Sequence, residues 1–138
     1  MPELETITDQ ECVKLLRSHQ VGRIALIDPK GHPLIFPVNY FFDEGVVLFR
    51  TDPGTKLDLA PGALVSFEID GWEPERRAGW SVMVKGISHD VTAPDDARSQ
   101  RMHYWPVEPA APGAKEHWIG IWANQISGRK FGTAEPGT

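Results

Sequence analysis

Residues 21–50 read VGRIALIDPKGHPLIFPVNYFFDEGVVLFR. Three runs rich in Val, Ile, Leu, Phe and Tyr, at Val21–Ile27, Pro33–Phe42 and Val46–Arg50, alternate with Asp28-Pro29-Lys30-Gly31 and Asp43-Glu44-Gly45, residue types that reverse a chain. The connections are too short for a helical crossover, so the stretch predicts an antiparallel meander.

Upstream, Thr8 stands three residues before Glu11, the spacing of a hydroxyl cap and a returning carboxylate. Cys12, Val13, Leu15 and Leu16 follow at helical spacing, which predicts an amphipathic helix over residues 9–18 with Gly22 available as a left-handed stop. Cys12 is the one cysteine, so no internal disulfide forms, and its place on the apolar stripe reads as a small buried hydrophobe. Downstream, Leu64–Asp70 and Trp80–Val91 read as strands. The polar stretch Gly71–Gly79 between them contains Glu73-Pro74-Glu75-Arg76-Arg77, which is not expected to continue a central strand. Thr92 and Asp95 again have capping spacing, predicting a second helix over 94–103, and proline-rich Trp105–Gly113 reads as a loop. His117–Ile126 is apolar almost throughout, as in a strand covered on both sides, and the small polar tail from Thr133 is expected to fray.

Six antiparallel strands without helical crossovers predict a mainly β fold, a closed or nearly closed six-stranded barrel with two short helices. With 138 residues, the whole of 1–138 is expected to form one domain. Hydrophobic residues at 41% and charged residues at 24% suit a packed globular core. No window approaches the length of a membrane span and the N-terminus has no basic, apolar leader, so a cytoplasmic protein without membrane contact is expected. A formal net charge of −5 argues against a nucleic-acid surface while leaving room for a small anionic ligand held by a few local cations.

Three patterns carry candidate chemistry. Arg50-Thr51-Asp52-Pro53-Gly54-Thr55-Lys56 gathers two hydroxyls, two cations and a Pro-Gly turn directly after the third strand, a composition that suits a phosphate cradle and equally a polar turn leading into a helix at Thr55. Pro37-Val38-Asn39-Tyr40 interrupts the second strand with a residue lacking an N–H and a lone amide. It marks an edge or bulge where a flat heterocycle could meet the backbone, or where Asn39 simply satisfies a neighbouring strand. Gly79-Trp80-Ser81-Val82-Met83-Val84-Lys85-Gly86, with Trp118, Trp122 and Ile126-Ser127-Gly128-Arg129, offers rings and polar handles, most of the tryptophans being expected in core or interface. His19, His32, His89, His103 and His117 lack metal-ligand spacing, so no metal site is expected, and no dinucleotide, P-loop or nucleophile-elbow motif occurs.

In this order and spacing, Val21-Gly22-Arg23-Ile24-Ala25, Pro37-Val38-Asn39-Tyr40, Phe49-Arg50-Thr51 with Gly54-Thr55-Lys56, Gly79-Trp80-Ser81-Val82 with Val84-Lys85-Gly86, and Ile126-Ser127-Gly128-Arg129 resemble the pyridoxamine 5'-phosphate oxidase-like flavoproteins, over about Leu15 to Arg129. The resemblance implies a six-stranded antiparallel split β-barrel of Greek-key type, a homodimer with FMN between subunits and an oxidoreductase acting on a small molecule. It implies that Arg50, Thr51, Thr55 and Lys56 hold the phosphate, that Pro37, Val38, Asn39 and Tyr40 border the ring, and that Trp80, Ser81 and the partner copy's equivalent of Arg129 approach the cofactor. Authentic pyridoxamine phosphate oxidases carry a basic C-terminal motif where this chain has Lys130, Phe131 and a polar tail, so vitamin B6 oxidation is not expected. Relatives use FMN, FAD, deazaflavin F420 or haem, so fold membership leaves the ligand open. An F420-dependent reductase, a non-catalytic flavin or haem carrier or sensor, and a cofactor-free barrel binding an apolar ligand stand as alternatives. No side chain stands out as a general acid or base.

Overall fold

The computed structural model describes residues 4–108 and 116–132. In chain order the elements are β1 (Glu5–Thr6), α1 (Asp9–Ser18), β2 (Val21–Ile27), β3 (Pro33–Asp43), β4 (Val46–Thr51), α2 (Thr55–Leu59), β5 (Leu64–Glu73), a 3-10 turn (Pro74–Arg76), β6 (Ala78–Asp90), α3 (Ala97–Met102) and β7 (His117–Phe131). The strands form one antiparallel sheet in the order β1-β7-β4-β3-β2-β5-β6, and pairing of β6 with β7 closes β2–β7 into the expected six-stranded barrel. β1 is a two-residue addition along β7, and α2 is a single turn where the sequence allows a helix start at Thr55.

Local chemistry fixes the first half closely. Thr8 Oγ1 accepts from Glu11 N at 3.2 Å and opens α1, whose Cys12, Leu15 and Leu16 are buried against the barrel. Asp28 Oδ1 accepts from the backbone N–H groups of Lys30 and His32 at 2.9 and 2.8 Å, which with Gly31 at φ +85° turns β2 into β3. Tyr40 on β3 donates its hydroxyl to Leu16 O at 2.7 Å and so ties the end of α1 to the barrel. The barrel interior is filled by alternate side chains, among them Ile24, Val38, Phe49, Phe67, Val82 and Ile121. A second cluster, Val46, Leu48, Val91, Met102 and Val107, lies on the outer side of β4 under α3.

Four expectations are corrected. Gly22 does not stop α1, which ends at Ser18 with extended His19; it lies inside β2, where a Cβ would come within 2.2 Å of the Phe67 ring. The β5–β6 hairpin runs through Gly71–Gly79 except at the Pro74–Arg76 turn, because Gly71 and Gly79 leave space for neighbouring indoles. α3 is capped by Asp96, whose carboxylate accepts from Ser99 N at 2.7 Å, while Thr92 Oγ1 instead accepts from Trp118 N at 2.9 Å. β7 continues past Ile126 to Phe131: the β6–β7 register steps from Lys85↔Gln125 to Gly86↔Ala123, so Asn124 is an extra residue in β7 that shifts the alternation without ending the strand. The Trp105–Gly113 loop lies partly, and the tail from Thr133 wholly, outside the described residues.

Candidate functional site

The barrel is split beside the turn that follows β4. Pairing of β3 with β4 runs only from Tyr40↔Phe49 to Asp43↔Val46, whereas β2 pairs with β3 along Pro33–Asn39. Among the described residues the β4-facing edge of Pro33–Asn39 therefore has no strand partner, and Pro37, which has no N–H to offer, lies within it. The chain leaves β4 at Thr51 and turns at Gly54 (φ +151°), a conformation suited to glycine, with open space around it.

Around this split the expected phosphate residues take separate positions. Thr51 is buried and its hydroxyl donates to Asp52 O at 3.1 Å; Thr55 is exposed at the first position of α2. Lys56 reaches back over β3, with Nζ 5.7 Å from the Phe36 ring centre. Arg50 lies to the other side, its guanidinium 4.9 Å from the Trp118 ring centre on β7. The two cations thus bracket the turn from the β3 and β7 sides.

Alternation sorts the other expected residues. Val38 and Tyr40 face the core at 3% exposure each, and burial pushes the Tyr40 phenol far above its usual range. Pro37 and Asn39 face outward, opposite Arg23 and Val21 of β2. Trp80 is buried, edge-on to His19 at 4.9 Å. Ser81 and Arg129 face outward as register partners on β6 and β7, along a polar groove of about 440 Å³ that also includes Lys85, Gln125 and Ser127. From β3 to β6 through β2 and β5 is three strand spacings, about 14 Å around the wall. The other way round, β7 adjoins β4, but that pairing spans only His117–Trp122 with Thr51 at the His117 end, and Ser81 and Arg129 pair at the opposite end of β7; within one chain both are therefore distant from the split. Among the described residues, no three His, Cys, Asp or Glu side chains gather as a metal site.

Between the two groups lies a cluster the sequence did not reveal. Arg23 on β2 meets Glu68 at 3.2 Å and Asp70 at 3.3 Å, both on β5, in a cleft that also holds Ala25, Ile35 and Met83. Desolvation, then the hydrogen bond and charge of Asp70, push the Glu68 carboxyl up to about 7, against the opposing pull of Arg23. The Glu68-x-Asp70 spacing places both carboxyls on one strand face, but Arg23 lies 45 and 47 residues away, and only the register joins them.

Comparison with known proteins gives a consistent set. The family model described as pyridoxamine 5'-phosphate oxidase matches residues 8–130. The chain is 35% identical over 111 residues to the uncharacterized protein Rv0080 of Mycobacterium tuberculosis, covering 75% of this chain and 72% of that one. A solved structure described as an FAD binding protein from Mycobacterium smegmatis superposes with a TM-score of 0.76 at 34% identity, covering 92% of this chain and 98% of that chain. One described as an FAD-binding protein from Mesorhizobium loti gives a TM-score of 0.71 at 28% identity, covering 92% and 97%.

Proposed function

The chain belongs to the pyridoxamine 5'-phosphate oxidase family, and from that premise we propose that it is a flavin-dependent oxidoreductase acting on a small molecule, with FMN as its cofactor. The observation that carries the reading is the split: an unpartnered strand edge at Pro33–Asn39 beside an open glycine turn bracketed by Arg50 and Lys56. The donors fit the group. Lys56, Arg50 and Thr55 suit a phosphate, and the free backbone edge with outward Pro37 and Asn39 suits the rim of a flat heterocycle. Bound there, a flavin supplies hydride or electron transfer. This chain's residues bind the phosphate, orient the ring and restrict water at the split.

The cofactor site is completed in this proposal by a second copy of the chain. Val21, Ile27, Ile35 and Leu64 stand exposed across the outer faces of β2, β3 and β5, an apolar surface suited to a two-fold partner. Such pairing offers a route for Ser81 and Arg129 of one copy to approach the split of the other. A cytoplasmic setting belongs to the proposal, in keeping with one buried thiol and no disulfide; among the described residues no helix is long and apolar enough to cross a membrane.

The test is titration of the purified protein with FMN and, separately, FAD, followed by flavin fluorescence. A charge-assisted contact contributes roughly 1.5–3 kcal/mol, so Lys56→Ala and Arg50→Ala should each weaken FMN by about ten- to a hundredfold. Unchanged affinity in both variants would remove the site, and a strong preference for FAD would reassign the cofactor.

A further inference from the structure

Trp118 of β7 stands opposite Arg50 of β4 as its register partner, so the ladder itself brings indole and guanidinium together. The guanidinium carbon lies 4.9 Å from the indole centre. A cation over an indole is attracted by the π electrons of the ring, and the contact consumes none of the N–H donors of the arginine.

The indole is held in its turn. His103, the residue that ends α3, stacks on it with ring centres 4.4 Å apart and planes 19° from parallel. The imidazole Nε2 lies 2.6 Å from Val91 O, and because a carbonyl only accepts, the nitrogen donates. The backbone of Trp118 is tied to the same stretch of chain: its N–H donates to Thr92 Oγ1 at 2.9 Å, and Val91 N donates to Trp118 O at 2.8 Å. Asp90 Oδ1 accepts from Thr92 N at 2.9 Å and keeps that stretch turned. Support therefore runs from the end of β6 through His103 and Trp118 to Arg50, beside the glycine turn.

An arginine on a loose stem loses rotamer freedom when it meets an anion, whereas one stacked beforehand has lost it already. We propose that Trp118 and His103 are positioning residues of the flavin site, fixing the Arg50 guanidinium at the turn before a phosphate arrives. The role rests on the flavin reading above and adds to it two residues that need not touch the cofactor. It also gives α3 a part in binding, since the helix delivers His103 to the stack.

Titration of the full chain with FMN and with riboflavin, the same ring system without the phosphate, separates positioning from general support. Arg50→Ala sets the reference by lowering the preference for FMN over riboflavin. Trp118→Leu should lower that preference about fivefold and His103→Leu about threefold, while Trp118→Phe, which keeps an aromatic face, should restore most of it. In an Arg50→Ala background, Trp118→Leu should weaken FMN no further. Nitrogen NMR relaxation of the Arg50 Nε–H in cofactor-free protein gives a second reading, and remains available through His103→Leu where Trp118→Leu does not fold: the group should be ordered in the wild type and looser in His103→Leu. Equal loss of FMN and riboflavin affinity, a Trp118→Leu loss that persists without Arg50, or an Nε–H equally mobile in wild type and variant overturns the positioning role. If Arg50→Ala weakens FMN but Trp118→Leu and His103→Leu do not, positioning alone fails and the flavin site stands. If Arg50→Ala leaves FMN affinity unchanged, or the protein takes no FMN, the positioning role falls together with that part of the flavin reading.

Discussion

On one side of the barrel, the outward residues of β4 lie beneath the chain's own cover: Val46 and Leu48 are fully buried against Met102 of α3, Val91 and Val107. On the other side, the outward positions of β2, β3 and β5 carry residues just as apolar, yet Ile35 is 66% exposed and Ile27 and Leu64 are each 70% exposed. Both walls are apolar, but the chain supplies a helix for only one. The open wall also carries the Arg23–Glu68–Asp70 cluster, and it runs between the split and the groove of Ser81 and Arg129. The contrast is where the proposed second copy enters: the bare wall is the one it would cover.

The sharpest way to break the comparison is to change one apolar residue on each wall. Leu48→Ala should lower the unfolding free energy by about 2–5 kcal/mol, because it empties a closed cluster. Thermal and urea unfolding would measure it; a loss under about 1 kcal/mol would mean that α3 is not a true cover. For the open wall the expected loss is of association: Ile35→Glu should convert a dimer to a monomer in sedimentation equilibrium, weakening self-association at least about tenfold. A variant that stays dimeric would move the interface elsewhere.

The smallest effect concerns pH. The Glu68 carboxyl is held up to about 7, above its ordinary value, so the folded state binds its proton more tightly than the unfolded chain does. That contribution is complete below the ordinary glutamate range and is lost as pH rises through about 7. Stability should therefore decline gently across that interval, and Glu68→Gln should flatten the decline. A wild-type curve that is level or rising there would show that Arg23 prevails over burial.

What the sequence could disclose follows from how local each feature is. The ends of α1 and β2 are legible because Thr8, Asp28 and Gly31 act within four residues of themselves. Gly22 misleads because its reason, the Phe67 ring, lies 45 residues away. The turn at Thr51–Lys56 is readable as a set of donors, but the end of β3–β4 pairing at Tyr40, which makes that turn a site, is a matter of register. Pro37-Val38-Asn39-Tyr40 forms one block in the sequence, although strand alternation turns Val38 and Tyr40 inward and leaves Pro37 and Asn39 outside. The Trp72–Phe131 ring pair joins positions 59 residues apart and had no local signal.

The extra residue in β7 has a consequence for charge. Up to Ala123 the odd-numbered side chains Ile119 and Ile121 point into the barrel; after Asn124 the even-numbered Ile126 and Gly128 do, and Gln125, Ser127 and Arg129 turn outward. Were Asn124 to take an ordinary place in the ladder instead of bulging, an unbroken zigzag would aim the guanidinium at the oily interior and leave Ile126 in water. Gly86 permits the step, since a Cβ there would come within 1.8 Å of Trp122 O. Deleting Asn124 would therefore flatten the bulge yet keep Ile126 inside and Arg129 in water, whereas one residue more, carried by the ladder without a second bulge, would bury the cation without mutating it.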